Sequence, residues 1–417
     1  MKFLHVSDLH LGKMIHGVSM LENGDQPVWI DRFLALAEDQ RPDAVLIAGD
    51  VYDRGSPSAA AVEQLSRLVE GLAALNIHVM LTAGNHDSGQ RLAFARELLA
   101  RQNVHIAGTV DKELIHVTLR DEFGPVTFWL MPYVFPAFVA KKLEDDTIRD
   151  YDTAVRRLLD TQKIDPNVRH VLIAHQNVTA NGTDAVRGGS ESTVGGVGQV
   201  DFSAFDAFDY VALGHIHAAY QVGRETVRYA GSPMCYHFNE TRQAEKGPVL
   251  VELGAKGNKA RIETLRIPPL HPMRELRGTL DELRGAELAR ESRNEYLRLV
   301  ITDQPMTPEI NDFFQALAES RGSVLMERIS EYRQFSSLSS TPDIDAVQER
   351  TLEELFADFY SERCGGGMPD TADTELLGVA GELLRNTPAD PRQRYAVDSV
   401  LTDQLLAFLI KQEEDRA

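Results

Sequence analysis

Apolar positions recur with two different periods along the first 270 residues. Short, near-continuous apolar runs predict β-strands: KFLHVS, DAVLIAGD, HVMLTAG, VTFWLMPYV, HVLIAHQ, YVALGHIH, VRYAGSP and PVLVEL. Runs with no polar face predict strands covered on both sides. Between them, residues 30–38 and 59–75 repeat their apolar positions at helical spacing. Pro57 lies near the start of the second helix, and Ser56 is its expected cap. Strands alternating with helices predict a layered α/β domain over residues 1–270.

The pattern breaks at Pro268, Pro269 and Pro272. A smaller α/β segment is expected over 271–334, with strands at 296–302 and 324–329 around a helix at 309–319. Residues 335–345, rich in serine, read as a linker. Over 346–417 three stretches place apolar residues on one helical face. The first is Leu352, Leu355, Phe356, Phe359 and Tyr360, the second runs from Leu376 to Leu384, and the third from Val397 to Leu409. A length of 417 residues suits this division into two or three domains.

Composition narrows the class. No apolar run approaches the ~18 residues that span a bilayer, and no charged-then-apolar leader opens the chain. The two cysteines, Cys235 and Cys364, show no pairing signature and read as small packing residues. They fit a reducing cytoplasm and exclude a cysteine-rich zinc module. Lys and Arg number 43 against 63 Asp and Glu, a net charge of −20. A protein gripping DNA by bulk charge is normally basic, so this chain must avoid nucleic acid, touch it locally, or borrow positive charge from a metal or partner. Half of the excess lies beyond Ser340, where 17 acidic residues face 7 basic ones.

The informative polar residues sit where apolar runs end. Asp8 and His10 follow the first run, and Asp50 and Asp53 follow DAVLIAG. Asn85, His86 and Asp87 follow HVMLTAG, His175 ends HVLIA, and His215 and His217 follow YVALG. Ligands of layered α/β sheets gather beyond the carboxyl ends of strands, so these side chains are expected to converge. Oxygen and imidazole donors without thiolate suit Mn, Fe, Zn or Mg. Gly49, Gly84 and Gly214 precede them and permit close backbone approach. Each residue also has a plain reading. Asp8 can cap a strand, Asp50 can fill a turn, Asn85 can take a left-handed position, and a lone histidine such as His175 is more often a core residue. Five strand ends at once are what the plain readings must explain together.

DLH, GDVYD, GNHD, a lone AH and GHIH, in that order, resemble the calcineurin-like metallophosphoesterase superfamily over about residues 1–270. The resemblance implies a sandwich of two β-sheets flanked by helices, followed here by a small α/β capping domain and C-terminal helices. It implies one metal on Asp8, His10, Asp50 and His217, and a second on Asp50, Asn85, His175 and His215, with Asp50 bridging. His86 would face the phosphate as general acid or transition-state stabiliser. A metal-bridging hydroxide would be the nucleophile. Asp53 and Asp87 would orient histidines or turns. Eight other histidines receive no role; His5 reads as core, and His237 is a candidate only for nearness to the cleft.

The superfamily spans protein phosphatases, nucleotidases and nucleases. GDVYDRG shares the spacing of a protein-phosphatase signature, but GNHD departs from the GNHE of those enzymes. KFLHVSDLHLGK, LIAGDVYDRGSPS, SESTVGGVGQVDFSAFDAFDYVALGHIH and YAGSPMCYHFNE are similar to the SbcD family of bacterial nuclease subunits. That resemblance implies a dinuclear, Mn²⁺-dependent nuclease, exonucleolytic on duplex ends and endonucleolytic on single-stranded or hairpin DNA. It would act in DNA repair, recombination and replication in the cytoplasm. The implied partners are DNA and an SbcC-like SMC-type ATPase, in a heterotetramer to which a homodimer through the nuclease domain can contribute. The C-terminal helices would dock on that ATPase. Arg91 and Arg187 can touch DNA or stay solvated, and residues 177–199 can be a substrate loop or an irregular connection. The other reading is a stand-alone metallophosphoesterase acting on small phosphodiesters or phosphoproteins.

Overall fold

The computed structural model describes residues 1–180, 198–242, 246–287 and 293–332. The expected linker and C-terminal helices, Cys364, Arg187 and most of 177–199 lie outside the described residues.

Two six-stranded sheets are built on one plan. The first runs Arg261–Thr264, Val249–Glu252, Lys2–Val6, Ala44–Ala48, His78–Thr82, Val104–Ala107, and its last four strands are parallel. The second runs Tyr220–Val222, Arg224–Tyr229, Tyr210–Gly214, Arg169–His175, Gly124–Met131, Ile115–Asp121, with its middle four parallel. The strands expected from the apolar runs all form.

Side-chain alternation decides which residues meet. Phe3, Leu46, Met80, Phe128, Ile173 and Tyr210 point into the space between the sheets and are fully buried there. Their neighbours Leu4, Val45, Val79 and Leu81 point outward, where helices Asp25–Gln40 and Ala59–Ala74 bring Trp29, Phe33, Leu68 and Leu72. On the other side, Leu172, Ala174, Val211 and Leu213 meet Val139, Val155 and Leu158 of helices Pro136–Leu143 and Tyr151–Asp160. The result is a four-layer α/β/β/α sandwich, buried on both faces of each sheet as the unbroken apolar runs require. Deleting one of these side chains, as in Leu46→Ala, would cost about 2–5 kcal/mol.

The cap of the Ala59–Ala74 helix is Ser58, whose side chain accepts from Ala61 N, and not Ser56. Ser56 lies two positions too early, and the proline at 57 holds it extended. The Ser56 hydroxyl instead receives a hydrogen bond from Arg91, which also donates to the Gly55 carbonyl at 2.7 Å.

A third sheet of three parallel strands, Met273–Gly278, Tyr296–Ile301 and Val324–Ser330, carries helix Pro308–Glu319 on its own apolar core. It is keyed to the sandwich by polar contacts. Tyr296 and His271 both hydrogen-bond Asp25, and Arg298 donates to Asn239 at 3.1 Å while lying 4.8 Å over the Phe238 ring.

Candidate metal centre

Parallel strands end on the same side, so the loops after five of them meet at one edge of the sandwich. Asp8, His10, Asp50 and Asn85 come from the first sheet; His175, His215 and His217 come from the second. The backbone bends sharply to bring them inward. Asp8, His10, Asp50 and His215 all have positive φ, at 54°, 43°, 47° and 102°. Non-glycine residues held there store strain, which clusters at functional sites. Around them the backbones nearly touch. A Cβ on Gly214 would lie 1.8 Å from the Ala48 carbonyl, one on Gly84 2.1 Å from Asp50 Oδ1, and one on Gly49 2.3 Å from His175 Nδ1. The three glycines are therefore required by close approach, and Gly49 also by its φ of +77°.

Three clusters of ligand-capable atoms form: Asp8 with His10 and His217, Asp8 with Asp50 and His175, and His10 with Asp50 and His86. Asp50 Oδ2 lies between the halves, 3.6 Å from His10 Nε2 and 3.3 Å from His175 Nε2. Its other oxygen accepts the His86 backbone N–H at 2.9 Å. Asn85 Oδ1 stands 3.1 Å from both His175 Nε2 and His215 Nδ1. The residues expected as metal ligands thus sit in one cluster, all buried except Asn85, which is exposed at the cleft. His86 stands beside it at the rim, with 38% of its side chain exposed and its Nδ1–H donating to the Asp53 carbonyl at 2.9 Å.

The hydrogen bonds behind the rings set which nitrogen faces inward. His175 Nδ1–H donates to the Ala48 carbonyl at 2.9 Å, which turns Nε2 inward to face the Asn85 oxygen. His217 Nδ1–H donates to Glu240 at 3.3 Å, so its Nε2 lone pair faces His10 Nε2 at 3.2 Å. On the far side of that ring, His10 Nδ1 is 3.4 Å from Asp53. Acceptor atoms turned towards one another at these distances repel unless a cation lies among them. The donor set therefore fits hard or borderline divalent cations.

Electrostatics point the same way. Burial pushes His10 down and His215 down to about 3, which keeps both rings neutral and able to bind a metal. Burial alone would raise Asp50, but His175, His10 and His86 hold it well below the carboxylate range. Burial would lower His175, and Asp50 reverses that, so this ring holds its proton until a cation replaces it. Asp87 accepts from the backbone N–H groups of Val51, Tyr52 and Gly84 and ties two of the loops together.

Sequence reasoning missed Glu240, Tyr236 and Tyr133. Glu240 is buried, receives His217, and pairs with Lys246 at 2.8 Å. Burial would raise its pKa, but Lys246 and His217 bring it down to about 2. Tyr236 donates to the Leu9 carbonyl and edges the His10 and His217 rings. Both lie in the GSPMCYHFNE stretch, where the His237 ring accepts from the nearby Asn239 N–H. Tyr133 lies 6.0 Å from the His175 ring and 6.1 Å from that of His215. His5 is a core residue as expected: Nε2–H donates to the Leu213 carbonyl, Nδ1 accepts from Tyr210, and burial lowers its pKa to about 3.

Residues 1–219 match the family profile for calcineurin-like phosphoesterases. Residues 269–363 match a profile described as the type 5 capsule protein repressor C-terminal domain, SbcD_C. The chain is 30% identical over 310 residues to the SbcD subunit of the nuclease SbcCD from Staphylococcus epidermidis, covering 73% of this chain and 79% of that protein. Two solved structures align with a TM-score of 0.36: TT1561 of Thermus thermophilus, at 15% identity over 64% of this chain and 99% of that one, and a dimetal phosphatase from Danio rerio, at 11% over 65% and 98%. With one profile covering more than half of its length and a relative matched over 79% of its own, the chain belongs to the calcineurin-like phosphoesterase family, within its SbcD branch.

Proposed function

We propose that this protein is a metal-dependent DNA nuclease that hydrolyses phosphodiesters at a dinuclear centre. The observation that carries the reading is Asp50 Oδ2, set between a half-site on Asp8, His10 and His217 and another on Asn85, His175 and His215. A carboxylate so placed can serve both ligand sets, with Mn²⁺ the expected metal. When bound, two cations would supply Lewis acidity at the phosphodiester and water acidic enough to attack near neutral pH.

The chain's own residues do the rest. Glu240 and the Ala48 carbonyl hold His217 and His175 with Nε2 inward. The Asp53 carbonyl fixes His86 Nδ1, turning Nε2 toward the cleft, where it can give a proton to the leaving oxygen. Tyr236 and the buried walls exclude water from behind the site. Residues 271–334 act as a cap beside it, and the region beyond 345 docks on an SbcC-like ATPase. The relative's name, which is that of a nuclease, supports DNA as substrate, and the −20 charge supports a need for cations or a partner to attract it.

The test is digestion of end-labelled hairpin and blunt duplex DNA in Mn²⁺, with and without the partner ATPase and ATP. Hairpin and single-strand nicking should need only the metal, and duplex-end digestion should need the complex. Hydrolysis of small phosphodiesters or phosphoproteins with no DNA cleavage in any arm would favour the stand-alone esterase.

A further inference from the structure

We propose that the cleft beside the metal centre is a stacking subsite for unpaired bases of a single-stranded DNA end. This rests on the nuclease reading above. The cleft has a volume of about 690 Å³ and opens between the loop carrying Gly84 and Asp87 and the segment from Tyr133 to Lys142. Its wall is a row of aromatic rings that begins at the metal centre. Tyr133 leaves the carboxyl end of strand Gly124–Met131, one position along the sheet from His175, and its N–H is pinned to the Ala83 carbonyl at 2.9 Å. Its ring is 6.0 Å from that of His175, Phe135 is 4.7 Å from Tyr133, and Phe138 is 5.5 Å from Phe135.

The outer two rings are exposed, Phe135 at 41% and Phe138 at 62%. Lys141 and Lys142 follow on the same helix and line the same cleft; Lys142 pairs with Asp111 at 3.2 Å. Aromatic rings in solvent beside a pair of lysines are the two elements that bind single strands without reading sequence: π-faces for bases, cations for phosphates. In a chain of net charge −20, these two lysines supply cations that the phosphates of a strand can meet. Continuity with the catalytic edge chooses the occupant. A strand whose scissile phosphate meets the metal centre would have its neighbouring base near Tyr133, 6.0 Å from the His175 ring, and its next bases toward Phe135 and Phe138. An intact duplex keeps its bases stacked on one another and has none to offer, so the subsite takes frayed, looped or single-stranded DNA.

The experiment uses the full chain, Mn²⁺ and a short oligodeoxynucleotide carrying 2-aminopurine at either end in turn. Aromatic stacking per base converts to roughly tenfold in affinity. Phe135→Ala/Phe138→Ala should raise KM for single-strand cleavage about tenfold or more, leave kcat within about twofold, and abolish the fluorescence change on binding. Phe138→Trp, which keeps a ring at that position, should retain binding, and Lys141→Glu should weaken it most at low salt. Because both phenylalanines are exposed, their removal should not lower the melting temperature. Unchanged KM and fluorescence in the double variant, with DNA still cleaved, would overturn the subsite and leave the nuclease reading standing. No cleavage of any DNA by the unaltered chain would instead remove the reading beneath it. Unchanged DNA binding together with lost ATPase association would overturn the subsite by making the ring row a protein contact.

Discussion

His86 separates metal binding from chemistry. It adjoins Asn85 but stands at the rim, fixed by the Asp53 carbonyl through Nδ1, with Nε2 4.0 Å from Asp50 Oδ2. His86→Ala should keep its metal content, read by elemental analysis, while hydrolysis of a phosphodiester reporter falls by ~10²–10⁴-fold. Loss of an ion in that variant would make His86 a ligand, as its grouping with His10 and Asp50 allows. Glu240 acts one bond further out, through the Nδ1–H of His217. Glu240→Gln should weaken metal affinity about 10–100-fold in a metal titration, because partners behind a ligating histidine typically carry that much. The seven expected ligands were legible because each follows a strand run in a fixed order. Glu240 was not: its role exists only because Tyr236–Glu240 folds back under His217, and nothing in the spacing of GSPMCYHFNE announces that. Tyr133 was hidden for another reason, since an aromatic residue ending an apolar run reads as core.

At the scale of elements, the central strands were legible; among the sheet edges Val324–Ser330 was legible too, and the others were not. Arg261–Thr264, Val104–Ala107, Tyr220–Val222, Ile115–Asp121 and Met273–Gly278 went unpredicted, and each is an edge strand of its sheet. An edge strand has one neighbour and partly exposed side chains, so its apolar signal is short and mixed with charge. One of these edges is held by a buried ion pair. Arg169 is fully buried, bonds Asp121 at the end of Ile115–Asp121, and also donates to the carbonyls of Leu253, Gly254 and Gly124. The Arg169 hydrogen bond holds the Asp121 carboxyl well below its ordinary value of 3.8, against the opposing effect of burial. Asp121→Asn leaves that guanidinium uncompensated and should cost about 3 kcal/mol at neutral pH in chemical denaturation. The sign of the pH dependence follows from a depressed carboxylate pKa. The contribution is present above the ordinary value and is lost as pH falls below it, so the two proteins should converge in stability in acid. A gap that widened in acid would assign the stabilisation to other groups.

Across the whole molecule, the sandwich is what builds the site. Each sheet alone carries an incomplete set of donors, and only their stacking, with Gly214 against Ala48, brings the two sets together. Beyond the described residues, the apolar faces at 352–360, 376–384 and 397–409 lie in the most acidic part of the chain. Exposed apolar area costs ~25 cal/mol per Å², so those faces need a cover, and for the aromatic-rich first one the proposed cover is a coiled-coil partner. Truncation after Ser340 should leave Mn²⁺-dependent nicking of single strands intact and abolish co-purification with an SbcC-like ATPase. Full-affinity binding by the truncated chain would move the partner site onto the nuclease or capping region. In the proposed dinuclear centre, Asp50 would belong to both halves. Elemental analysis of the Mn²⁺-loaded chain before and after Asp50→Ala tests it most directly. About two ions per chain are expected before the substitution, and loss of both together after it. Two ions retained at unchanged affinity in the variant would contradict it.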